Sequence, residues 1–174
     1  EEAYLGARAA LWSLSLQQST VADLGGGSLQ LTQVREGTIV SAASVPLGAV
    51  RMTARFFRND PVTKQEVEAL RQEIQRHCEP VLPSIATSEG MVGMGGTIRT
   101  LGRMHLLASN KQRSRQGLIL QQADVTALRE HLQEVPIRER VRIPGLKEER
   151  ADIIFAGAVV VEEVMRLGRY RTLT

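Results

Sequence analysis

The sequence predicts an α/β fold, a mixed sheet with helices on both faces in the order β-β-β-α-β-α-α-β. Three observations carry that prediction. From residue 20 to Val45, apolar and polar residues fall in short strand-like runs separated by glycines. Beyond Pro46, aliphatic residues recur at three- and four-residue spacing, as on the buried stripe of a helix. Brief apolar strand candidates sit between those helical stretches and after the last one.

Residues 3–16 open the chain with Leu5, Ala9, Trp12 and Leu16 at helical spacing. Residues 20–24 form a short strand ending at Asp23-Leu24, and Gly25, Gly26 and Gly27 turn the chain. Leu29 and Leu31 then alternate with Gln30 and Thr32 in a second strand. Gly37 breaks it, and residues 38–45 complete a three-stranded antiparallel meander. Pro46-Leu47-Gly48 opens a helix to Phe57. Thr63 and Glu66 have capping-box spacing, ahead of a stripe of Val67, Leu70 and Ile74 that leads to a core Cys78. Residues 90–94 are a short strand, and Gly95-Gly96-Thr97 leads into a helix carrying Ile98, Leu101 and Met104. A polar loop at 109–116, a helix at 124–134, a basic connector between Pro136 and Pro144-Gly145, and a helix at 149–167 followed by a strand complete the chain. No internal repeat divides it, so residues 1–174 read as a single domain.

Composition narrows the function classes. Aromatics make up only 3% of residues, so the core must be aliphatic and there is little to stack on a base. The formal charge of +3 suits an anionic partner without the dense basic stripe of a nucleic-acid reader. With one cysteine, no internal disulfide is available and the default compartment is the cytoplasm. The longest apolar run, 153–161, is too short to cross a bilayer, so no membrane partner is expected. His77, His105 and His131 lack ligand spacing and read as surface or packing residues.

The sharpest signal is Asp23-Leu24-Gly25-Gly26-Gly27-Ser28. Three glycines let a backbone turn tightly against a ligand, and successive N–H groups can cradle a phosphate oxygen. Ser28 can donate to the same group, and Asp23, at a strand end, offers the hard oxygen that Mg²⁺ prefers. No Lys follows, as a P-loop requires, and a strand rather than a helix comes next, which excludes the dinucleotide fingerprint. Strand, glycine turn, strand is the phosphate hairpin of the actin/hexokinase superfold; a plain glycine hairpin without ligand is the alternative. Gly93-Met94-Gly95-Gly96-Thr97 joins a strand to a helix, where an anion site and tight strand–helix packing are equally good readings. Two such loops in one domain suggest a cleft gripping neighbouring phosphates.

Together these segments resemble the exopolyphosphatase/guanosine pentaphosphate phosphohydrolase family. The match runs from Glu1-Glu2-Ala3 through the two glycine loops and Pro46-Leu47-Gly48-Ala49-Val50-Arg51. It continues to Pro144-Gly145-Leu146, Arg150-Ala151-Asp152-Ile153-Ile154 and Ala156-Gly157-Ala158. The resemblance implies a ribonuclease H-like lobe, the second of two, with an opposing N-terminal lobe before Glu1 and the active site between them. It implies a Mg²⁺-dependent hydrolase of phosphoanhydride bonds acting on inorganic polyphosphate or on the 5′ phosphate of guanosine pentaphosphate (pppGpp), in a family whose members often dimerise.

Residue by residue, the resemblance makes Glu2 the catalytic base. Asp23, with the Gly25 backbone nearby, holds Mg²⁺. Gly25, Gly26, Gly27, Ser28, Gly95, Gly96, Thr97 and Arg99 hold phosphate. Read without it, Glu1 and Glu2 simply suit a helix start, and Arg99 with Arg103, or Arg51 with Arg55, make solvated faces. The chain departs from the family where Thr-Glu follows Gly-Gly-Gly-Ser, carrying Leu29-Gln30 instead, which removes a hydroxyl and a carboxylate. A non-catalytic polyphosphate- or alarmone-binding module, and an ATPase or sugar-kinase lobe, are the alternatives. A lobe without its opposite half is expected to be inactive, because a one-sided cleft cannot exclude water.

Overall fold

Seven residues at a time, Gln18–Leu24 (β1) and Leu29–Arg35 (β2) pair antiparallel in the computed structural model, which describes residues 17–85, 90–109 and 118–174. Thr38–Val45 (β3) extends the meander beside β2. Ala49–Phe56 (α1), Lys64–Cys78 (α2) and the single turn Leu82–Ile85 (α3) follow, and Gly90–Met94 (β4) returns to lie parallel to β1. Gly95–Ala108 (α4), Leu120–Gln121 (β5), Gln122–Glu134 (α5) and Ile137–Arg140 (α6) lead to a 3₁₀ turn at Glu148–Arg150. Ile154–Gly168 (α7) then feeds Thr172–Leu173 (β6). The sheet order is β3-β2-β1-β4-β6-β5, with β4 and β6 parallel and β5 antiparallel to β6.

The α/β class, the mixed sheet and the meander are as the sequence predicts. Two details differ, and two expectations are not met by any described residue. The last helix begins at Ile154 rather than near Glu149, because the chain first makes the 3₁₀ turn and a bend at Ala151. The four-residue helices α3 and α6 and the two-residue β5 are too short to show a period. The expected helix at 3–16 and most of the polar loop at 109–116 lie outside the described residues.

The core is aliphatic, as a low aromatic content requires. Alternate sheet residues Ala22, Leu24, Leu29 and Leu31 meet Met52, Leu70, Ile74, Leu101 and Leu132 around α7, where Ile154, Phe155 and Val159 are fully buried. Burying each large apolar side chain contributes about 1.5–3 kcal/mol, which makes α7 the central element. On the opposite face of the sheet Val21, Val34 and Val92 form a small separate cluster. The capping box of α2 is present, with Glu66 N–H donating to the Thr63 hydroxyl and Thr63 N–H donating to the Glu66 carboxylate. Cys78 is buried at the end of the Val67/Leu70/Ile74 stripe, as its spacing implies.

Two acids sit inside α7 without breaking the core. Glu162 accepts from Arg71 at 3.0 Å and from Arg129 at 3.1 Å, and Glu163 pairs with Arg166 and lies 3.6 Å from Arg71. Buried carboxylates persist only when so paired.

Candidate functional site

The site is organised by adjacency in the sheet. β1 and β4 run parallel as neighbours, and Asp23 is in register with Met94, so both strands end together. The Gly25–Gly27 turn leaves one strand and Gly95 leaves the other. Carboxyl ends of parallel strands are where α/β sheets take ligands.

The first turn is closed by its own backbone. Gly25 N–H donates to Ser28 C=O at 3.0 Å. The start of α1 then braces the turn from below: Ala49 N–H donates to Gly25 C=O, Arg51 N–H to Gly26 C=O, and the Arg51 Nε–H to Gly27 C=O at 2.9 Å. A side chain on Gly48 would collide with Gly26 and Gly27, so the Pro46-Leu47-Gly48 segment is the platform on which the turn rests. The amides of Gly26, Gly27 and Ser28 have no acceptor among the described residues and are available to an anion. Gly25, expected in the cradle, has its amide committed to the turn instead.

The second turn packs onto the first. Gly95 has φ +91°, and a Cβ there would stand 2.9 Å from Asp23 Oδ1 and inside contact of Leu24 C=O. Only glycine fits a left-handed backbone pressed against another strand end. The first-turn amides of α4, around Gly96 and Thr97, lack intrahelical acceptors and carry the positive end of the helix dipole. Both glycine turns and Asp23 therefore share one rim. Gln30 lies directly across from Asp23 in the hairpin, and its amide donates to the Ser28 hydroxyl at 2.9 Å. Glu2 lies outside the described residues.

Beyond the second turn opens a cleft of about 360 Å³ lined by Gly96, Arg99, Thr100, Arg103, Lys147 and Arg150. The Arg150 guanidinium lies against Gly96, so closely that no Cβ would fit between them. The backbone turn that carries Arg150 is braced from behind. The buried Arg140 donates from Nε to Val135 C=O at 2.9 Å and from Nη1 to Ala151 C=O at 3.1 Å, with its guanidinium 5.5 Å above the Phe155 ring. Burial lowers the Arg140 pKa, and the charges of Asp60 and Asp152 oppose that.

The sequence assigns no role to Lys147, and Arg150 enters it only within the Arg150-Ala151-Asp152-Ile153-Ile154 segment, because the contact of Arg150 with Gly96 spans 54 positions in the chain. Arg99 is where the sequence places it, on the exposed face at the start of α4. The second cleft, of about 330 Å³ between α2, α5 and α7, holds both signs of charge, and its Glu162, Glu163, Arg71 and Arg166 already pair with one another. Among the described residues no group of three His, Cys, Asp or Glu side chains could enclose a metal, and no helix is long and apolar enough to cross a membrane. His105 is buried 3.8 Å from Asp124, His77 pairs with Glu73, and His131 is exposed.

The sheet order and the paired glycine turns define an α/β lobe of the actin/hexokinase type. The chain belongs to the Ppx/GppA phosphatase family, whose sequence profile matches residues 1–172. It is 33% identical over 178 residues to exopolyphosphatase 2 of Mycobacterium tuberculosis, covering 98% of this chain and 55% of that protein. It is 29% identical over 147 residues to exopolyphosphatase 1 of Mycobacterium leprae, covering 83% and 43%. A Ppx/GppA family member of Aquifex aeolicus superimposes with a TM-score of 0.81 at 26% identity, covering 95% of this chain and 54% of that one. An exopolyphosphatase of Cytophaga hutchinsonii shares the fold with a TM-score of 0.86 at 24% identity, covering 99% and 57%. The chain spans about half the length of the curated relatives it matches.

Proposed function

We propose that this chain is one lobe of a Mg²⁺-dependent phosphoanhydride hydrolase that removes the terminal phosphate of inorganic polyphosphate or the 5′ phosphate of pppGpp. The observation that carries the reading is the contact of Gly95 with Asp23 and Leu24, which brings both glycine turns to one rim. The family and its curated exopolyphosphatases support the hydrolase class.

In this reading the amides of Gly26, Gly27 and Ser28 bind oxygens of the terminal phosphoryl group, and the first turn of α4 with Arg99 binds the next phosphate. Asp23 suits Mg²⁺, which takes one or two carboxylates and completes its shell with water and substrate phosphate. The Gly25 backbone is the weaker candidate, since its carbonyl already accepts from Ala49 N–H. Bound there, the metal would neutralise charge on the transferring group. Glu2 orients the attacking water and accepts its proton as the anhydride oxygen departs with the shortened chain. The opposing lobe closes over the phosphate and excludes bulk water.

In the full-length protein, Glu2→Gln should abolish phosphate release while polyphosphate still binds. An equal loss of binding and release would remove Glu2 as the base. One observation favours a second reading, a binding module without turnover: the residue facing Asp23 is the amide Gln30 rather than a carboxylate. Phosphate release from polyphosphate by the full-length protein with Mg²⁺ separates the two.

A further inference from the structure

We propose that Gly157 of α7 is a positioning residue that aims the two glycine turns at one ligand. The proposal rests on the phosphatase reading above and concerns a residue which that reading does not use.

Gly157 is buried in the first turn of α7, between the fully buried Ala156 and Ala158. Its N–H donates to Ile153 C=O at 3.1 Å, so the backbone there is ordinary helix. A glycine inside a helix costs about 1 kcal/mol relative to alanine. The reason for it lies on the neighbouring helices. A Cβ on Gly157 would stand 2.2 Å from Thr97 Cγ2, 3.4 Å from Thr97 Cβ and 3.5 Å from Ala49 Cβ. The bare backbone of α7 is thus pressed onto the first turn of α4 and lies beside the first residue of α1.

Both contacts lead to a glycine turn. Ala49 N–H donates to Gly25 C=O at 3.0 Å and so braces the first turn. Thr97 directly follows Gly95 and Gly96, is 2% exposed, and seats its methyl on α7. Strand pairing sets how far apart the two turns begin. The seat of the Thr97 methyl sets how α4 leaves its strand, and with it the direction in which the amides around Gly96 and Thr97 point. Protein interiors are close-packed, so an added methyl at Gly157 is accommodated by tilting α4 away from α7.

The same distances identify a compensating change. Of the three contacts, only the one with Thr97 Cγ2 is prohibitive; those at 3.4 Å and 3.5 Å are ordinary van der Waals contacts. Thr97→Ser removes that methyl and leaves room for the one that Gly157→Ala adds. The two substitutions together move a methyl group from α4 to α7 at nearly constant volume.

The test uses the full-length protein with Mg²⁺ and two calorimetric probes. Orthophosphate can be held by one turn; imidodiphosphate, two joined phosphates that resist hydrolysis, needs both. Wild type should bind imidodiphosphate roughly tenfold tighter than orthophosphate. Gly157→Ala should lose most of that advantage while its affinity for orthophosphate changes by less than about twofold, and Gly157→Ala/Thr97→Ser should regain it to within about twofold of wild type. A role confined to stability would lower the urea midpoint and leave the ratio of the two affinities alone. Thr97→Ser by itself empties the seat and should lower the ratio roughly threefold. Its comparison with the double variant decides the matter even where Gly157→Ala does not fold, and equal ratios in those two would overturn the proposal. So would an undiminished ratio in Gly157→Ala, an equal loss for both probes, a loss that Thr97→Ser does not restore, or a wild type that binds both probes alike. A protein that shows the ratio and its rescue but releases no phosphate from polyphosphate sinks the hydrolase reading and leaves the role of Gly157 standing. One that releases phosphate while Gly157→Ala keeps the ratio does the reverse.

Discussion

Gln30 faces Asp23 across the β1–β2 hairpin and donates its amide to the Ser28 hydroxyl at 2.9 Å. The position opposite the proposed metal carboxylate is thus occupied by a neutral side chain that anchors the phosphate turn. Replacing it by an acid exchanges an anchor for a second hard oxygen donor. Gln30→Glu should lower the Mg²⁺ concentration needed for half-maximal phosphate release by on the order of tenfold. A Mg²⁺ titration of activity checks this, and an unchanged midpoint would place the metal elsewhere.

The two glycines that open α4 should respond differently to the same change. Gly95→Ala forces a Cβ into the Leu24 carbonyl and onto a left-handed backbone, so it should cost about 1–3 kcal/mol, read as a lower midpoint in urea. Gly96→Ala meets only the far end of Arg150, which can swing aside. It should leave stability within about 0.5 kcal/mol and weaken polyphosphate binding several-fold, about the effect of losing one charge contact.

The α2 cap supplies a pH dependence. Burial raises the Glu66 pKa, but the amides of Thr63 and Arg58, the Thr63 hydroxyl and Asn59 outweigh it and hold the carboxyl at about 2. A group whose folded pKa is depressed stabilises fully above its unfolded value and loses that contribution as pH falls through the folded one. Glu66 should therefore contribute its full share above about pH 4.5 and lose it toward pH 2. Because the carboxyl is largely solvated, Glu66→Gln should cost only about 1 kcal/mol at neutral pH, and thermal melts of the two proteins should converge in acid.

What was legible in the sequence was local. Alternation around Leu29 and Leu31 located a strand, Thr63 and Glu66 located a helix start, and the glycines after Leu24 and Met94 located both turns. What was not legible needed partners far away in the chain. Glu162 and Glu163 interrupt an apolar helix; Arg166 beside Glu163 is a local partner, but Glu162 is explained only by Arg71, some ninety positions earlier, and Arg129. Arg150 gained its meaning from Gly96, and the late start of α7 followed from the bend whose carbonyl Arg140 holds. Glu2, the residue the resemblance makes catalytic, lies outside the described residues and keeps its role as a proposal.

The side-by-side placement of β1 and β4 makes the sheet a ruler. Adjacent strands sit about 4.8 Å apart, and that interval, set by main-chain hydrogen bonds, separates the two turns whatever side chains they carry. Substitutions within either loop can retune its grip, but none of them can widen the gauge. A ligand with its anionic groups spaced more broadly would require a different strand order.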